Sequence, residues 1–257
     1  MPGVKRERDG SVGLLTLDEP ETLNAMTSEL LCALADAVRE TTADPDLRAL
    51  VLTGGGRGFC SGLNLKAYKS LEDDIVGGCM RYFWPAFQAL RECRVPVIVA
   101  VNGLAVGGGL GLALAGDVIV AARSASFIAA FSRIGAVPDC GTTWVLPRVL
   151  GRQRAFELML LAEPLSAAQA KEWGLVREIF DDDALRDGAL ELAHRLAQGP
   201  TRALVTARRL IEESELSTYA AQFKREIEAQ ADNSTSEDAR EGIQAFLGKR
   251  PARFTGR

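Results

Sequence analysis

The spacing of apolar residues changes several times along the chain. SVGLLTLD (11–18) alternates and is rich in strand formers, which predicts a strand. EPETLNAM has no period and predicts a loop, whereas TSELLCALADAVRETTAD takes up helical spacing behind Thr27, a side chain suited to capping a helix. LRALVLTGGG predicts a buried strand running into a glycine turn. After a less regular stretch, a helix is expected over about 75–92, then the strand PVIVAV, the turn GLAVGGG, a helix from Leu110 to Ala115 and the strand DVIVAA. ASFIAAF predicts one more short strand. Strand, turn, helix and strand recur at least twice, which predicts an α/β domain with right-handed crossovers.

From about Gly151 the pattern turns helical: RQRAFELMLLAEP, SAAQAKEWG, DALRDGALELAHRLAQG and everything after Pro200, with VREIF as the remaining strand candidate. The expected organisation is a core over 1–198 and a helical region over 199–257. The latter is too short to make its own core, so it should pack on the main domain or a neighbouring subunit.

Composition narrows the chemistry. The chain has 257 residues, 47% hydrophobic, with 30 basic against 34 acidic residues and a net charge of -4, and the basic residues are scattered. A nucleic-acid partner is not expected. The start, MPGVKRERDG, has no apolar stretch behind it, and no segment reaches the roughly 18 apolar residues that would span a bilayer, so no membrane partner and a cytoplasmic location are expected. Cys32, Cys60, Cys79, Cys93 and Cys140 form no C-x-x-C pair, which fits reduced thiols. The single histidine, His194, lies in a helical pattern far from any glycine turn. Ser-His-Asp, Cys-His and His-rich metal chemistry are therefore not expected.

Two apolar strands end in glycine-rich turns, VLTGGGRGFCSGLNL and VNGLAVGGGLG. They could simply be tight connections to the following elements. Phosphate cradling is the obvious functional alternative, but neither turn fits G-x-x-x-x-G-K-[ST] or G-x-G-x-x-G. A second use is to bring one backbone N–H from each turn onto an oxygen that becomes negative during reaction, with glycine allowing close approach.

FCSGLNL after LTGGGRG, followed by VNGLAVGGG, resembles the crotonase superfamily, also called the enoyl-CoA hydratase/isomerase family. EPETLNAMT, IGAVPDCGTTWVLPRVLG, LSAAQAKEWGLV and AREGIQAFLGKR extend the resemblance over almost the whole chain. It implies an α/β fold, a crotonase-like spiral of ββα units, with a C-terminal helical region that mediates trimer contacts and commonly a dimer of trimers. It also implies an acyl-CoA substrate, an enolate intermediate and no cofactor beyond the coenzyme A of the substrate. By position, the oxyanion donors would be the N–H groups of Leu63 and Gly108. Leu23, Ala25, Ser61, Asn64 and Leu65 would line the CoA path, Gly107, Gly111, Phe131 and Trp144 would belong to the substrate site, and Phe246 and Lys249 would reach the CoA of an adjacent subunit.

Relatives that hydrate enoyl thioesters hold water between two glutamates, and those positions here are Gly111 and Phe131. Neither transfers a proton. The resemblance offers Asp139 instead, in IGAVPDCGTTW, where a subgroup resembling 1,2-epoxyphenylacetyl-CoA isomerases carries a catalytic aspartate. Asp139 could also be an N-cap for a helix over Gly141–Leu150. Val137, Trp144 and Phe131 are expected to surround and desolvate it. A dehalogenase reading would need a histidine and a tryptophan that are not at the right positions. The expected activity is an enolate-stabilising acyl-CoA isomerase. The alternatives are an enoyl-CoA hydratase of the fatty-acid oxidation type and a catalytically weak acyl-CoA binder. Asp117 is expected to be structural, Cys60 and Cys140 to be small fillers, and the segment from Lys66 to Arg91 to wall the acyl pocket.

Overall fold

The computed structural model describes residues 3–66 and 74–257. The strands β2 (Val12–Leu17), β3 (Ala49–Gly54), β5 (Val97–Val101), β7 (Val118–Ala122) and β10 (Glu178–Phe180) pair in that order as a parallel sheet. β3 and β5 are buried almost throughout because both sheet faces are covered, and such strands are continuously apolar. β2 follows them. The alternation expected for 11–18 does not appear: Val12 to Leu15 are all buried, because helix α1 (Ser28–Ala43) covers one face and α8 (Leu185–Ala197) the other.

A charged strand, β1 (Val4–Asp9), was not expected from the sequence. It pairs antiparallel with β2, from Val4 opposite Leu17 to Asp9 opposite Val12, and all but its first residue are exposed. It carries no apolar face for the pattern to reveal, and its Lys, Arg and Glu side chains make the sheet edge unreceptive to a further strand. The signal that was available is the two-residue connection Gly10-Ser11, with Gly10 at φ 59°.

A second, smaller sheet contains β4 (Gly58–Cys60), β6 (Leu104–Val106), β8 (Ser126–Ile128) and β9 (Leu165–Ser166), the first three parallel. Each strand of the large sheet in this region is followed by one of the small sheet and then by helix: β3 and β4 by α2 (Ile75–Gly78) and α3 (Trp84–Arg91), β5 and β6 by α4 (Gly108–Ala113), and β7 and β8 by α5 (Thr142–Leu150). Stacked ββα turns therefore build the core. The three-residue strands are too short to show a period, and of the small sheet only β8 was foreseen.

The helix expected over 75–92 is present but interrupted. Between α2 and α3 the chain makes one wide turn over Cys79–Phe83. Pro85 enters the first turn of α3 without an N–H to donate, and the widened turn accommodates it. Residues 67–73 of the expected pocket segment lie outside the described residues. Helix α1 begins as expected, with Thr27 Oγ1 accepting from the Leu30 amide at 3.1 Å.

Helices α6 (Arg152–Leu161), before β9, and α7 (Ala167–Glu172), after it, are followed by β10 and α8. The chain ends in α9 (Thr201–Ser214), α10 (Tyr219–Asn233) and α11 (Glu237–Leu247), which bury few residues of their own. Polar contacts tie them to the core. Arg48, just before β3, donates to Thr201 Oγ1 at 2.5 Å and to the Gly199 carbonyl at 2.6 Å. Arg208 of α9 pairs with Asp117 at 3.0 Å, and Asp117 also accepts from the Val97 amide at 2.7 Å. Burial pushes the Asp117 carboxyl up from its usual range, although Arg208 pulls the other way. These contacts give Asp117 the structural place expected for it.

Candidate active site

The two glycine turns converge. Gly62 has φ 87°, and a Cβ built on it would lie 2.6 Å from the Val106 carbonyl oxygen and 3.5 Å from the Gly108 nitrogen. A side chain there would occupy the gap between the turns. Leu63 forms a parallel bridge with Met26: the Met26 amide donates to the Gly62 carbonyl at 2.7 Å and the Asn64 amide to the Met26 carbonyl at 3.0 Å. That pattern turns the N–H of Leu63 away from Met26. Gly108 is the first residue of α4, where amides have no partner within the helix. Among the described residues neither amide donates to a protein acceptor.

Each glycine of the triplet answers a different demand. Gly107 makes the turn, at φ 53° and ψ -118°, a conformation closed to other residues. Gly108 faces the Met26 methyl, and Gly109 packs onto the Cys60 carbonyl. Helix α4 therefore starts inside the triplet, two residues before the expected Leu110. Gly111, one turn further, is closed off: a Cβ there would sit 2.5 Å from Cys140 Cβ and 2.6 Å from the Cys140 carbonyl oxygen. The space that a longer residue would need at this position is filled by the chain around Cys140.

Asp139 precedes that filled corner. Cys140 and Gly141 both have left-handed backbone, φ 52° and 74°, which folds the chain sharply into α5. The main-chain carbonyl of Asp139, not its carboxylate, caps the helix by accepting from Thr142 N at 3.0 Å and Thr142 Oγ1 at 2.7 Å. Gly141 occupies the N-cap position with no side-chain bond, so the capping alternative for the Asp139 carboxylate does not hold.

Asp139 instead lines an apolar cavity of about 440 Å³. The walls are Gly111 of α4 with Leu114 and Ala115 just after it, Phe83 with Trp84 and Phe87 of the α3 region, and Trp144 and Val145 of α5. Cys79, Met80, Arg91, Cys140 and Gly141 complete the lining, so part of the 66–91 segment does wall the pocket. Asp139 is the sole carboxylate and Arg91 the sole cation among these lining residues. The expected apolar enclosure of Asp139 is only partly present. Trp144 shares the cavity, but Asp139 is exposed at its mouth and Val137 is 81% exposed. Phe131 is buried against Gly107 and does not line the cavity.

The thiols nearby are held neutral. Burial pushes Cys60 up to about 12. Cys140 is raised by burial first and then by the Asp139 charge, and Cys79 follows the same order of causes. Cys60 and Cys140 are thus fillers, as expected. His194 contacts Asp9 at 2.9 Å, remote from the cavity.

The residues expected along a CoA path are placed as follows. Leu23 packs its side chain against Gly58, and its carbonyl accepts from the Ser61 amide at 2.9 Å. Ala25 is buried, Asn64 Oδ1 accepts from the Lys66 amide at 3.1 Å, and Leu65 is exposed. Together they bring the EPETLNAM loop beside the first glycine turn. Phe246 and Lys249, at the end of α11, are exposed and do not join the cavity lining.

Two asparagines that the sequence reading passed over hold these turns in place. Asn24 is fully buried; its Nδ2 lies 2.9–3.1 Å from the carbonyls of Gly55, Gly58 and Phe59, and its Oδ1 accepts from Glu19 N. Asn102 accepts from Gly54 N at 3.1 Å and donates to the Gly56 carbonyl at 2.9 Å. A polar residue beside an apolar run and a glycine turn was the signal for both. Arg91 was also passed over, because nothing in its own segment shows what it meets.

The model of the enoyl-CoA hydratase/isomerase family matches residues 7–257, and the chain belongs to that family, the crotonase superfamily. Among relatives, it is 44% identical over 247 residues to the 1,2-epoxyphenylacetyl-CoA isomerase of Escherichia coli K12, covering 95% of this chain and 94% of that protein. It is also 40% identical over 256 residues to a Rhodobacter capsulatus protein that carries an enoyl-CoA hydratase name, covering 99% and 98%. An enoyl-CoA hydratase structure from Polaromonas sp. JS666 superposes with TM-score 0.90 at 33% identity, covering 98% of this chain and 99% of that one. The stacked ββα turns are the crotonase fold.

Proposed function

We propose that the chain is an acyl-CoA isomerase in which one aspartate moves the proton. The observation that carries this reading is the pairing of Gly111 with Asp139. The position that would hold a water-activating glutamate is packed shut by Cys140, and Asp139 is the carboxylate that lines the cavity.

The thioester carbonyl oxygen would sit between the amides of Leu63 and Gly108. The Asp139 carboxylate takes a proton from C2 of a 3-enoyl thioester, and the C–H electron pair spreads into a dienolate whose negative oxygen those amides stabilise. Asp139 returns the proton at C4, leaving a 2-enoyl thioester. One oxyanion donor contributes roughly 2.7–4 kcal/mol to such a transition state. On a ring epoxide of an arylacetyl thioester the same base would take the C2 proton, and the C–H pair would form a double bond to the ring as the adjacent epoxide C–O bond breaks. The alkoxide would take the proton back from Asp139. The name of the Escherichia coli relative supports 1,2-epoxyphenylacetyl-CoA, an intermediate of phenylacetate breakdown, as substrate. The reaction draws on no cofactor beyond the substrate's own coenzyme A. A homo-oligomer, a trimer or dimer of trimers, would cover the apolar side chains exposed on α9 to α11.

The test follows 3-enoyl-CoA in deuterated water with wild type and Asp139→Asn, alongside hydration of 2-enoyl-CoA. Isomerisation and deuterium uptake that collapse in the variant, with negligible hydration, support the proposal. Robust hydration that survives the substitution would overturn it in favour of a hydratase.

A further inference from the structure

Helix α4 measures the acyl pocket. Its first amide, Gly108, belongs to the proposed oxyanion seat, Gly111 lies against Cys140, and Leu114 and Ala115, just past the helix end, line the cavity together with Gly111. At 1.5 Å per residue, Leu114 is about 9 Å beyond Gly108. Arg91 closes this far end. It is the last residue of α3, it lines the cavity, and its charge reaches Asp117, which lies just past α4.

The guanidinium is held in a defined orientation there. It lies 5.1 Å from the centre of the Trp144 ring and donates from Nη2 to Glu212 of α9 at 2.7 Å. That is its one hydrogen bond among the described residues, so most of its five donors are unspent. Its side chain is 28% exposed. Arg148, 4.2 Å from the same ring, is paired with Glu215 at 3.0 Å. Each cation has its own carboxylate, so the far wall offers directed donors without a net positive charge. An uncharged oxygen suits such a wall better than a carboxylate does.

Resting on the acyl-CoA reading above, we propose that Arg91 is a specificity-determining residue that, between acyl groups of matched shape, favours the one carrying an uncharged acceptor oxygen at its distal end. An arylacetyl group, whose ring puts its para carbon at the distal end, is an acyl class that could carry such an oxygen. Phe83, Trp84, Phe87 and Trp144 supply the aromatic walls such a ring would meet.

The test is calorimetric binding of 4-hydroxyphenylacetyl-CoA and its near-isostere 4-methylphenylacetyl-CoA to wild type, Arg91→Met and Arg91→Lys. Neither thioester has a side-chain double bond to shift, so both report binding alone. Wild type should prefer the hydroxyl ligand about tenfold, as one hydrogen bond to a charged donor implies. Arg91→Met should lose that preference while binding the methyl ligand within about threefold of wild type, and Arg91→Lys should keep part of it. Equal affinities in wild type, or a preference that persists in Arg91→Met, overturn the proposal while the acyl-CoA reading stands. If neither thioester binds wild type, the acyl-CoA reading fails and this proposal with it.

Discussion

The contrast between Gly111 and Asp139 gives two predictions at the scale of single residues. Because the carboxylate of Asp139 caps nothing, Asp139→Asn should leave the melting temperature within about 2 °C of wild type, whereas loss of a helix cap would cost about 1 kcal/mol. The isomerisation proposed for the chain should nevertheless slow by at least roughly 100-fold in this variant, measured from initial rates with a 3-enoyl-CoA. Gly111→Glu should not create a hydratase. Its Cβ would already sit 2.6 Å from the Cys140 carbonyl, so the variant should be less stable by about 1–3 kcal/mol in urea melts, with no gain in hydration. On the proposed mechanism, the chemistry follows which residue the backbone leaves room for.

At the scale of elements, the connection between β6 and α4 decides where the Gly108 amide points. A Cβ on Gly107 would meet nothing closer than the Phe131 ring at 3.9 Å, so a substitution there tests backbone conformation without a clash. Gly107→Ala should cost about 1–3 kcal/mol in denaturant melts and, on the proposed mechanism, weaken thioester turnover by displacing the proposed oxyanion donor. The end of α11 gives a pH prediction. Arg250, followed by the Arg253 amide, holds the Glu241 carboxyl at about 2, against 4.5 when unperturbed. A folded-state value depressed in this way contributes stability that is fully present above pH 4.5 and lost as pH falls through about 2. Hydrogen exchange in 249–257 should accelerate over that window, and Glu241→Gln should remove the dependence.

For the whole molecule, the question is what holds the C-terminal helices against the core and what they present outward. Arg48 joins the start of β3 to Gly199 and Thr201, and Gly256 of the tail packs on its guanidinium. Arg48→Ala should destabilise the fold by about 2 kcal/mol and expose the chain near 199 to limited proteolysis. Tyr219, Phe223 and Ile227 form an exposed stripe at four-residue spacing on α10. If this stripe is covered by other copies of the chain, Phe223→Asp with Ile227→Asp should lower the molar mass measured by light scattering.

Local rules made much of this molecule legible from its residues. The buried parallel strands, the Thr27 cap and the glycine triplet follow from spacing and turn chemistry, which act over a few residues. The motifs FCSGLNL and VNGLAVGGG carried the family, and with it the ββα spiral. The charged strand β1 and the three-residue strands of the small sheet escaped, because a strand without an apolar face or without length is defined only by its partner. The site depended still more on distant meetings. Cys140 reaches back to fill the place beside Gly111, the Asp139 carbonyl takes over the capping of α5, and Arg91 meets Trp144 and Glu212 from separate helices. Those meetings are fixed by how packed elements cross, so sequence supplied the chemical groups and tertiary structure decided which of them face one cavity.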